Sequence, residues 1–283
     1  MVQPAYDLQM PARRDTAAVF ASPHSGRNYP AGFLRDSVLD RRAIRSSEDA
    51  FVDELWGDAT RHGAPLLCAL APRAYVDFNR DEGELDPVLV TGVGRIAHNP
   101  RVASGLGVIP RVVAGGRAIY RGKIGMRAAK GRLENHWRPY HATLTGLLEE
   151  AHEAFGEAIL IDCHSMPHEA IEGVPGGKPE VVLGDRFGAS AGSGIVDRIE
   201  ARFQAEGLRV ARNAPFAGAY IVQRYGHPAR GRHALQIEID RSLYMDESLI
   251  QPNGRFHLVR AILARVARDI CDIGRRQVSL AAQ

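Results

Sequence analysis

The residue types in this chain that could do chemistry lie where short apolar runs end. His24 comes shortly after the run Ala17–Ala21, and His164 closes the segment "LIDCH". The run "ALQIEID" carries two carboxylates, Glu238 and Asp240. Two histidines, a carboxylate and an open position for water form the ligand set of a catalytic zinc site. In an open α/β sheet, ligands bind beyond the carboxyl ends of the strands, so the spacing predicts a metal site there.

Taken one at a time, these residues differ in how strongly they indicate a functional site. A lone histidine after a strand is more often a loop or capping residue, and Asp49 alone can be an acidic residue at a helix start, where the helix dipole favours it. Glu238 is harder to explain structurally, because a carboxylate within an apolar run is costly to bury without a partner. The recurrence of histidine at two equivalent strand ends, together with Glu238, favours a functional site.

The segment "VDFNR" offers a group for an anionic substrate. Its last two residues, Asn79 and Arg80, can be a simple surface turn. However, an arginine beyond a strand end can also bind a carboxylate through two parallel hydrogen bonds. This reading makes Asn79 and Arg80 candidate substrate-binding residues.

A competing motif is "GASAG", which matches the G-x-S-x-G pattern of serine hydrolases around Ser190. In those enzymes the strand runs directly into the serine. Here the apolar run ends near Leu183, and the residues 184–186 intervene. A loop before the helix that begins near Gly194 is the better explanation, and a serine hydrolase using Ser190 stays as an alternative.

Strands and helices alternate along the chain. The predicted strands are Ala17–Ala21, Pro65–Leu70, Tyr75–Phe78, Ala158–Cys163, Val181–Leu183, Leu208–Ala211, Ala219–Gln223 and Ala234–Ile239. Amphipathic helices are predicted in "SSEDAFVDELWGDATRHG" and around Leu144–Phe155, Gly194–Glu206 and Phe256–Ile273. The alternation predicts an α/β fold: a single domain with a mixed, mostly parallel central sheet flanked by helices. Residues 81–125, rich in Gly, Pro and Arg, are predicted to form an irregular region that builds part of a site.

Composition excludes several classes of function. The 283 residues carry a net charge of +3 with scattered arginines, whereas nucleic-acid binding calls for a concentrated basic face. No stretch approaches the roughly 20 apolar residues of a membrane span. The first residues lack the apolar core of a secretory signal, and Cys68, Cys163 and Cys271 are too few and too far apart for a disulfide framework. We therefore expect a cytoplasmic protein that acts on a small molecule.

Six segments together resemble the N-formylglutamate amidohydrolase family: "SPHSGRNYP", "EDAFVDEL", "YVDFNR", "LIDCHSMP", "WRPYH" and "GAYIVQRYGHPARGRHALQIEIDRSLYM". They occur in the family's order between Ser22 and Met245. The resemblance implies one catalytic domain over 1–283 with a zinc-carboxypeptidase-like architecture, related to that of aspartoacylase. It also implies hydrolysis of an N-formyl amino acid, typically N-formyl-L-glutamate to formate and L-glutamate, late in histidine degradation.

The resemblance also assigns roles to residues. It implies that His24 and His164 bind Zn²⁺ or another divalent metal and that Glu238 is the catalytic carboxylate. It implies that Asn79 and Arg80 hold a carboxylate of the substrate.

The third metal ligand departs from the pattern of the wider superfamily, which is His-x-x-Glu. Arg27 stands at the third position after the first histidine. Asp49, the acidic residue before "VDEL", is the predicted ligand, with Glu48 and Asp53 as alternatives.

The resulting hypothesis is hydrolysis by metal-activated water with Glu238 as the general base. Arg121 in "YRGK" is predicted to stabilise the oxyanion, and Arg224 in "VQRYG" is predicted to bind a second substrate carboxylate. Besides the serine hydrolase, a second alternative remains: a non-catalytic relative that binds an anionic ligand through Arg80.

Overall fold

A seven-stranded mixed sheet runs through the centre of the protein in the computed structural model, which describes residues 4–94, 99–174 and 177–275. The strand order is β1-β3-β2-β4-β7-β5-β6. Strands β3, β2, β4 and β7 run parallel to one another, whereas β1 and β5 pair antiparallel with their inner neighbours. The strands are β1 (Tyr6–Gln9), β2 (Ala18–Ser22), β3 (Leu66–Ala69), β4 (Ala158–Met166), β5 (Val181–Gly184), β6 (Val210–Arg212) and β7 (Arg232–Asp240), with a separate hairpin of β8 (Met245–Asp246) and β9 (Gln251–Pro252).

Helices cover both faces of this sheet, so the predicted α/β class and the mixed, mostly parallel sheet are confirmed. The α-helices are α1 (Ala31–Asp36), α2 (Val52–Leu55), α3 (Pro100–Ala103), α4 (Met126–Arg132), α5 (Arg138–Phe155), α6 (Ser193–Ala205), α7 (Tyr220–Tyr225) and α8 (Phe256–Ile273). Short 3-10 turns span Ala43–Arg45, Gly57–His62, Ala114–Gly116, His168–Ile171, Pro228–Arg230 and Arg241–Leu243. A π-helical turn, Leu133–Trp137, joins α4 to α5.

Side-chain alternation along the central strands divides the core into two layers. On β4, Ile161 and Cys163 face the layer that also contains α6 and α8, while Leu160 faces the layer under α5. Successive strand residues point to opposite faces, so Asp162 and His164 continue the α5 face toward the carboxyl end of the strand. Polar residues therefore replace apolar ones only where this face reaches the strand ends.

Two predicted strands are wrong. Tyr75–Phe78 forms turns, in which the Tyr75 and Val76 amides bond to the Pro72 carbonyl. Ala219–Gln223 lies mostly within helix α7. Short apolar runs do not distinguish a buried strand from a buried helix by periodicity, and tertiary contacts decided both.

Two further differences concern a strand at the edge of the sheet and the extent of a predicted helix. Strand β1 was not predicted, because its alternating half-buried residues do not form an apolar run. The helix predicted in "SSEDAFVDELWGDATRHG" is only the four residues of α2 followed by the turn Gly57–His62. Phe51, directly before α2, has a left-handed backbone with φ of 67°, which prevents an earlier helix start.

The described parts of 81–125 contain little regular structure: helix α3, the turn Ala114–Gly116 and isolated bridges such as Val90 to Ile124. None of the helices in the described ranges combines the length and apolar composition needed to cross a membrane. Cys68, Cys163 and Cys271 are buried free thiols.

Candidate active site

The carboxyl ends of the four parallel strands bring the predicted site residues together. His24 lies just beyond the end of β2. His164 on β4 and Glu238 on β7 are direct partners across the sheet. The loop that contains Asn79 and Arg80 follows β3 along the same edge. The sheet topology thus places side chains from distant parts of the chain at one edge.

Three of these side chains form a compact cluster of metal-ligand atoms. The ligand atoms of His24, Asp49 and His164 all lie within 4.8 Å of one another. One oxygen of Asp49, Oδ2, is 2.9 Å from His164 Nδ1 and 3.5 Å from His24 Nδ1. Each residue is only 2% exposed. The cluster contains the three residues that the sequence proposed as ligands.

The other ring nitrogen of each histidine faces a buried carboxylate. His24 Nε2 lies 2.7 Å from Asp77 Oδ1, and His164 Nε2 lies 3.0 Å from Asp162 Oδ2. A carboxylate can only accept in such a pair, so each Nε2 carries a proton. His164 Nδ1 faces Asp49 Oδ2 and donates to it in the same way, and a bound cation would take the place of that proton. Carboxylates that orient imidazoles in this way are a regular feature around protein-bound metals.

The donor set fits a divalent cation. His24 Nδ1 is buried, and no group in the described ranges forms a hydrogen bond with it. Burial alone would lower the pKa of His164, but the carboxylates of Asp162 and Asp49 raise it well above its usual value. The cluster therefore stabilises positive charge between the imidazoles and Asp49. Two nitrogens and a carboxylate oxygen are also ligands that zinc accepts.

Asp49 is held in place from both sides. Its amide donates to the His24 carbonyl at 3.0 Å, and Arg241 donates to its Oδ1 at 2.9 Å, which leaves Oδ2 for the histidines. The two alternative ligands point elsewhere. Glu48 accepts from Tyr29 and Arg45, and Asp53 pairs with Arg27.

Glu238 lies beside this cluster as a buried carboxyl group. Gln236 Nε2 donates to its Oε1 at 2.8 Å, and Gln236 Oε1 in turn accepts from the Ala219 amide at 3.0 Å. Burial raises the pKa of Glu238 to about 7, against the opposing positive charge of His164. A carboxyl group of this kind can take up and release a proton near neutral pH.

Asn79 is fixed by protein contacts. Its Oδ1 accepts from the Ile221 amide at 2.8 Å, and its Nδ2 lies 3.2 Å from His164 Nε2 and 3.4 Å from Asp162 Oδ2. These contacts hold the Asn79 amide beside the cluster. Arg80 donates from Nε to the Leu106 carbonyl and from Nη1 to the Asn79 carbonyl.

The segment "WRPYH" clamps the backbone of this loop. Trp137 Nε1 donates to the Arg80 carbonyl at 2.9 Å, and His141 Nε2 lies 2.9 Å from the Phe78 carbonyl. Burial lowers the pKa of His141 to about 3, so the ring is neutral and its Nε2–H donates. The π-helical turn and helix α5 together thereby fix the backbone from which the Arg80 side chain extends.

Gly26 permits a close approach beside His24. A Cβ atom at this position would lie 2.1 Å from the Ala71 carbonyl oxygen. The backbone of Ala71 therefore leaves no room for a side chain at this position.

A cavity of about 720 Å³ opens above the cluster and is lined by His24, Asp49, His164, Asn79 and Glu238. Four arginines also line it: Arg73, Arg80, Arg101 and Arg241. Arg121 and Arg224 are exposed and do not line this cavity, and Arg224 donates to Tyr220 instead. The structure therefore does not place these two predicted residues at the site.

The sequence pattern assigns no role to Asp77, Asp162, Arg73, Arg101 or Arg241, although Asp77 and Asp162 are among the polar residues at the ends of predicted strands. Asp162 could have been recognised from its spacing. Residues two apart on a strand share a face, and Asp162 stands two positions before His164. Arg241 follows directly after β7. Arg73 and Arg101 are on irregular segments, where spacing carries no such information.

The structure gives no support to Ser190 as a nucleophile. Its side chain is 1% exposed, and its hydroxyl donates to the Ala234 carbonyl at 2.8 Å. A Cβ at Gly226 would lie 2.4 Å from the Ser190 Cβ, so backbone is packed directly against it. Ser190 therefore has a structural role.

Comparison with known proteins gives concordant matches. A family model described as N-formylglutamate amidohydrolase matches residues 16–245. The N-formylglutamate deformylase of Pseudomonas aeruginosa is 30% identical over 232 residues, which cover 81% of this chain and 82% of the relative. That of Pseudomonas putida is 28% identical over 233 residues, with the same coverage.

Solved structures extend these matches to the fold. The N-formylglutamate amidohydrolase from Ralstonia eutropha JMP134 superposes with a TM-score of 0.92 at 35% identity, covering 98% of this chain and 100% of that chain. A gene product of Agrobacterium tumefaciens superposes with a TM-score of 0.67 at 15% identity and 96% coverage of both chains, which shows a shared fold.

Proposed function

The chain belongs to the N-formylglutamate amidohydrolase family, and we propose that it hydrolyses N-formyl-L-glutamate to formate and L-glutamate in a metal-dependent reaction. The observation that carries the proposal is the buried cluster of His24, Asp49 and His164 beside Glu238. A place in histidine degradation belongs to the same proposal, as does one catalytic domain over 1–283 whose irregular region 81–125 contributes to substrate binding.

The proposed metal site uses His24 Nδ1, His164 Nδ1 and an oxygen of Asp49. A divalent cation such as Zn²⁺ held there supplies Lewis acidity, which makes water a stronger acid and a carbonyl carbon more electrophilic. Asp77 and Asp162 keep the Nε2 protons of the two histidines in place. This favours the tautomer in which both Nδ1 atoms would be available to the cation.

Glu238 is the proposed general base. Its carboxylate takes a proton from the water that attacks the formyl carbon, and then gives that proton to the amine nitrogen of the departing glutamate. Burial raises the pKa of Glu238, which favours uptake of the proton from water. Gln236 holds Oε1 of Glu238, so the other oxygen, Oε2, is left for the proton.

Arg73 is the proposed oxyanion-stabilising group, in place of Arg121. It lines the cavity, and its Nε donates to Asp77 Oδ2 at 3.0 Å, so its terminal nitrogens are left for other partners. Its positive charge also opposes the rise in the pKa of Glu238. A fixed cation at the position where negative charge develops is worth more in a site that excludes water.

Arg80 is the proposed anchor for a carboxylate of the substrate. Its guanidinium lines the cavity next to the cluster, and its bonds to two backbone carbonyls leave its positive charge uncompensated by those acceptors. Hydrogen bonds from Trp137 and His141 to the backbone of this loop hold it beside the cluster.

The test measures formate release from N-formyl-L-glutamate together with the bound metal. We expect about one divalent metal per chain, loss of turnover after chelation and recovery when Zn²⁺ is returned. Turnover that survives complete removal of metal would contradict the metal-dependent reaction. A metal-loaded protein that binds N-formyl-L-glutamate without hydrolysing it would instead support the alternative of a non-catalytic anion-binding relative.

A further inference from the structure

The four arginines of the cavity are not equally compensated. Arg73 pairs with Asp77 at 3.0 Å and Arg241 pairs with Asp49 at 2.9 Å. Arg80 bonds to two neutral carbonyl groups. Within residues 4–94, 99–174 and 177–275, the Arg101 guanidinium has neither a carboxylate partner nor a hydrogen bond. Two positive charges on the cavity wall therefore remain available to an anionic ligand.

The two arginines belong to one connected piece of structure. The Leu106 amide donates to the Arg101 carbonyl at 2.8 Å, and the Leu106 carbonyl accepts from Arg80 Nε at 2.9 Å. Asn99 Oδ1 accepts from the Arg101 amide at 2.9 Å. The backbone that carries Arg101 is thus tied directly to the Arg80 side chain.

Their charges also act on one another. The pKa of Arg80 is lowered, first by burial and then by the positive charges of Arg73 and Arg101, against the opposing charge of Asp77. Two guanidinium groups close enough to repel each other across a cavity would be stabilised by negative charge between or upon them. A ligand with two carboxylates supplies that charge.

We propose that Arg101 binds the second carboxylate of the substrate, so that the cavity selects N-formyl derivatives of dicarboxylic amino acids. The inference rests on the proposed function, in which Arg80 anchors the first carboxylate. It assigns to Arg101 the role that the sequence analysis gave to Arg224, which does not line the cavity. Because Arg101 is exposed, we expect its contribution to weaken as salt concentration rises.

The test measures binding of N-formyl-L-glutamate and N-formyl-L-glutamine by calorimetry in a Glu238→Gln background, so that neither ligand is turned over. The two ligands have nearly the same shape and differ in the charge of the side chain. We expect the Glu238→Gln protein to prefer the glutamate ligand. Adding Arg101→Ala should reduce its affinity for that ligand about tenfold and leave the glutamine ligand within about twofold. Arg101→Lys keeps the charge and should retain part of the preference.

Arg127→Ala is the matched control, because Arg127 is an exposed arginine on helix α4 outside the cavity. Equal losses for both ligands, or no loss for either, would overturn the inference, as would a failure to bind either ligand. Turnover by the wild-type protein is measured separately. Hydrolysis of N-formyl-L-glutamate without discrimination at Arg101 overturns this inference alone. Discrimination at Arg101 without hydrolysis overturns the proposed function alone.

Discussion

The metal-ligand cluster and the arginine wall of the same cavity, formed by Arg80 and Arg101, are built in opposite ways. His24, Asp49 and His164 are 2% exposed; Asp77 and Asp162 hold the two histidines, and Arg241 holds Asp49. Arg101, by contrast, is exposed on a helix of four residues within an irregular segment. The cluster depends on the parallel sheet, whereas the arginine wall depends on loops that pack around it.

Because they are built differently, the cluster and the arginine wall are suited to different tasks. Reacting groups must be held within a fraction of an ångström, which hydrogen-bonded strands provide. Substrate selection can be carried by loops placed on such a scaffold. Substitutions in the cluster should therefore change the rate of the chemical step or metal binding, and substitutions of Arg80 or Arg101 should change substrate affinity.

The largest effect is expected for Glu238→Gln, which removes the proposed base. We expect kcat to fall by about 10²- to 10⁴-fold while metal content stays unchanged, because Gln cannot take up the proton. Steady-state kinetics and metal analysis of the same preparation measure both quantities. Glu153→Gln, an exposed carboxylate on α5, is the control. A Glu238→Gln enzyme with near wild-type kcat would assign the proton transfer to another group.

An intermediate effect is expected for Asp162→Asn. The amide cannot hold the His164 Nε2 proton as the carboxylate does, so metal affinity should fall by about 10- to 100-fold. Competition with a chelator measures it. Asp185→Asn is a matched control, since Asp185 is also a buried aspartate at a strand end but bonds to Asn213. Equal metal affinities in the two variants would show that Asp162 does not support the ligand.

The smallest effect is expected for Arg121→Ala. Arg121 belongs to the same irregular region as Arg101, but it is exposed and does not line the cavity. We expect kcat and KM for N-formyl-L-glutamate to stay within about twofold of wild type, since exposed surface substitutions rarely matter. A large loss of kcat would restore Arg121 as an oxyanion-stabilising group and break the division between cluster and wall.

Site residues at strand ends could be predicted from the sequence, whereas those on irregular segments could not. His24, His164 and Glu238 could be located because each lies at or near the end of an apolar run, where the strand period and the topology rule apply. Placement of Asp49 came from the resemblance, and the structure brings it to the two histidines. Arg73 and Arg101 could not be found in this way, because irregular segments have no period that links sequence position to direction.

The sequence by itself determined the central sheet, most of its strands and the residues that face one another at the strand ends, because burial on both faces leaves a continuous apolar pattern. Only the tertiary structure decided that Tyr75–Phe78 is a turn, that 219–223 lies mostly in a helix, and which arginines reach the cavity. The physical reason is that a guanidinium on a long side chain finds its place through contacts made by distant segments. Nothing in its immediate sequence records those contacts.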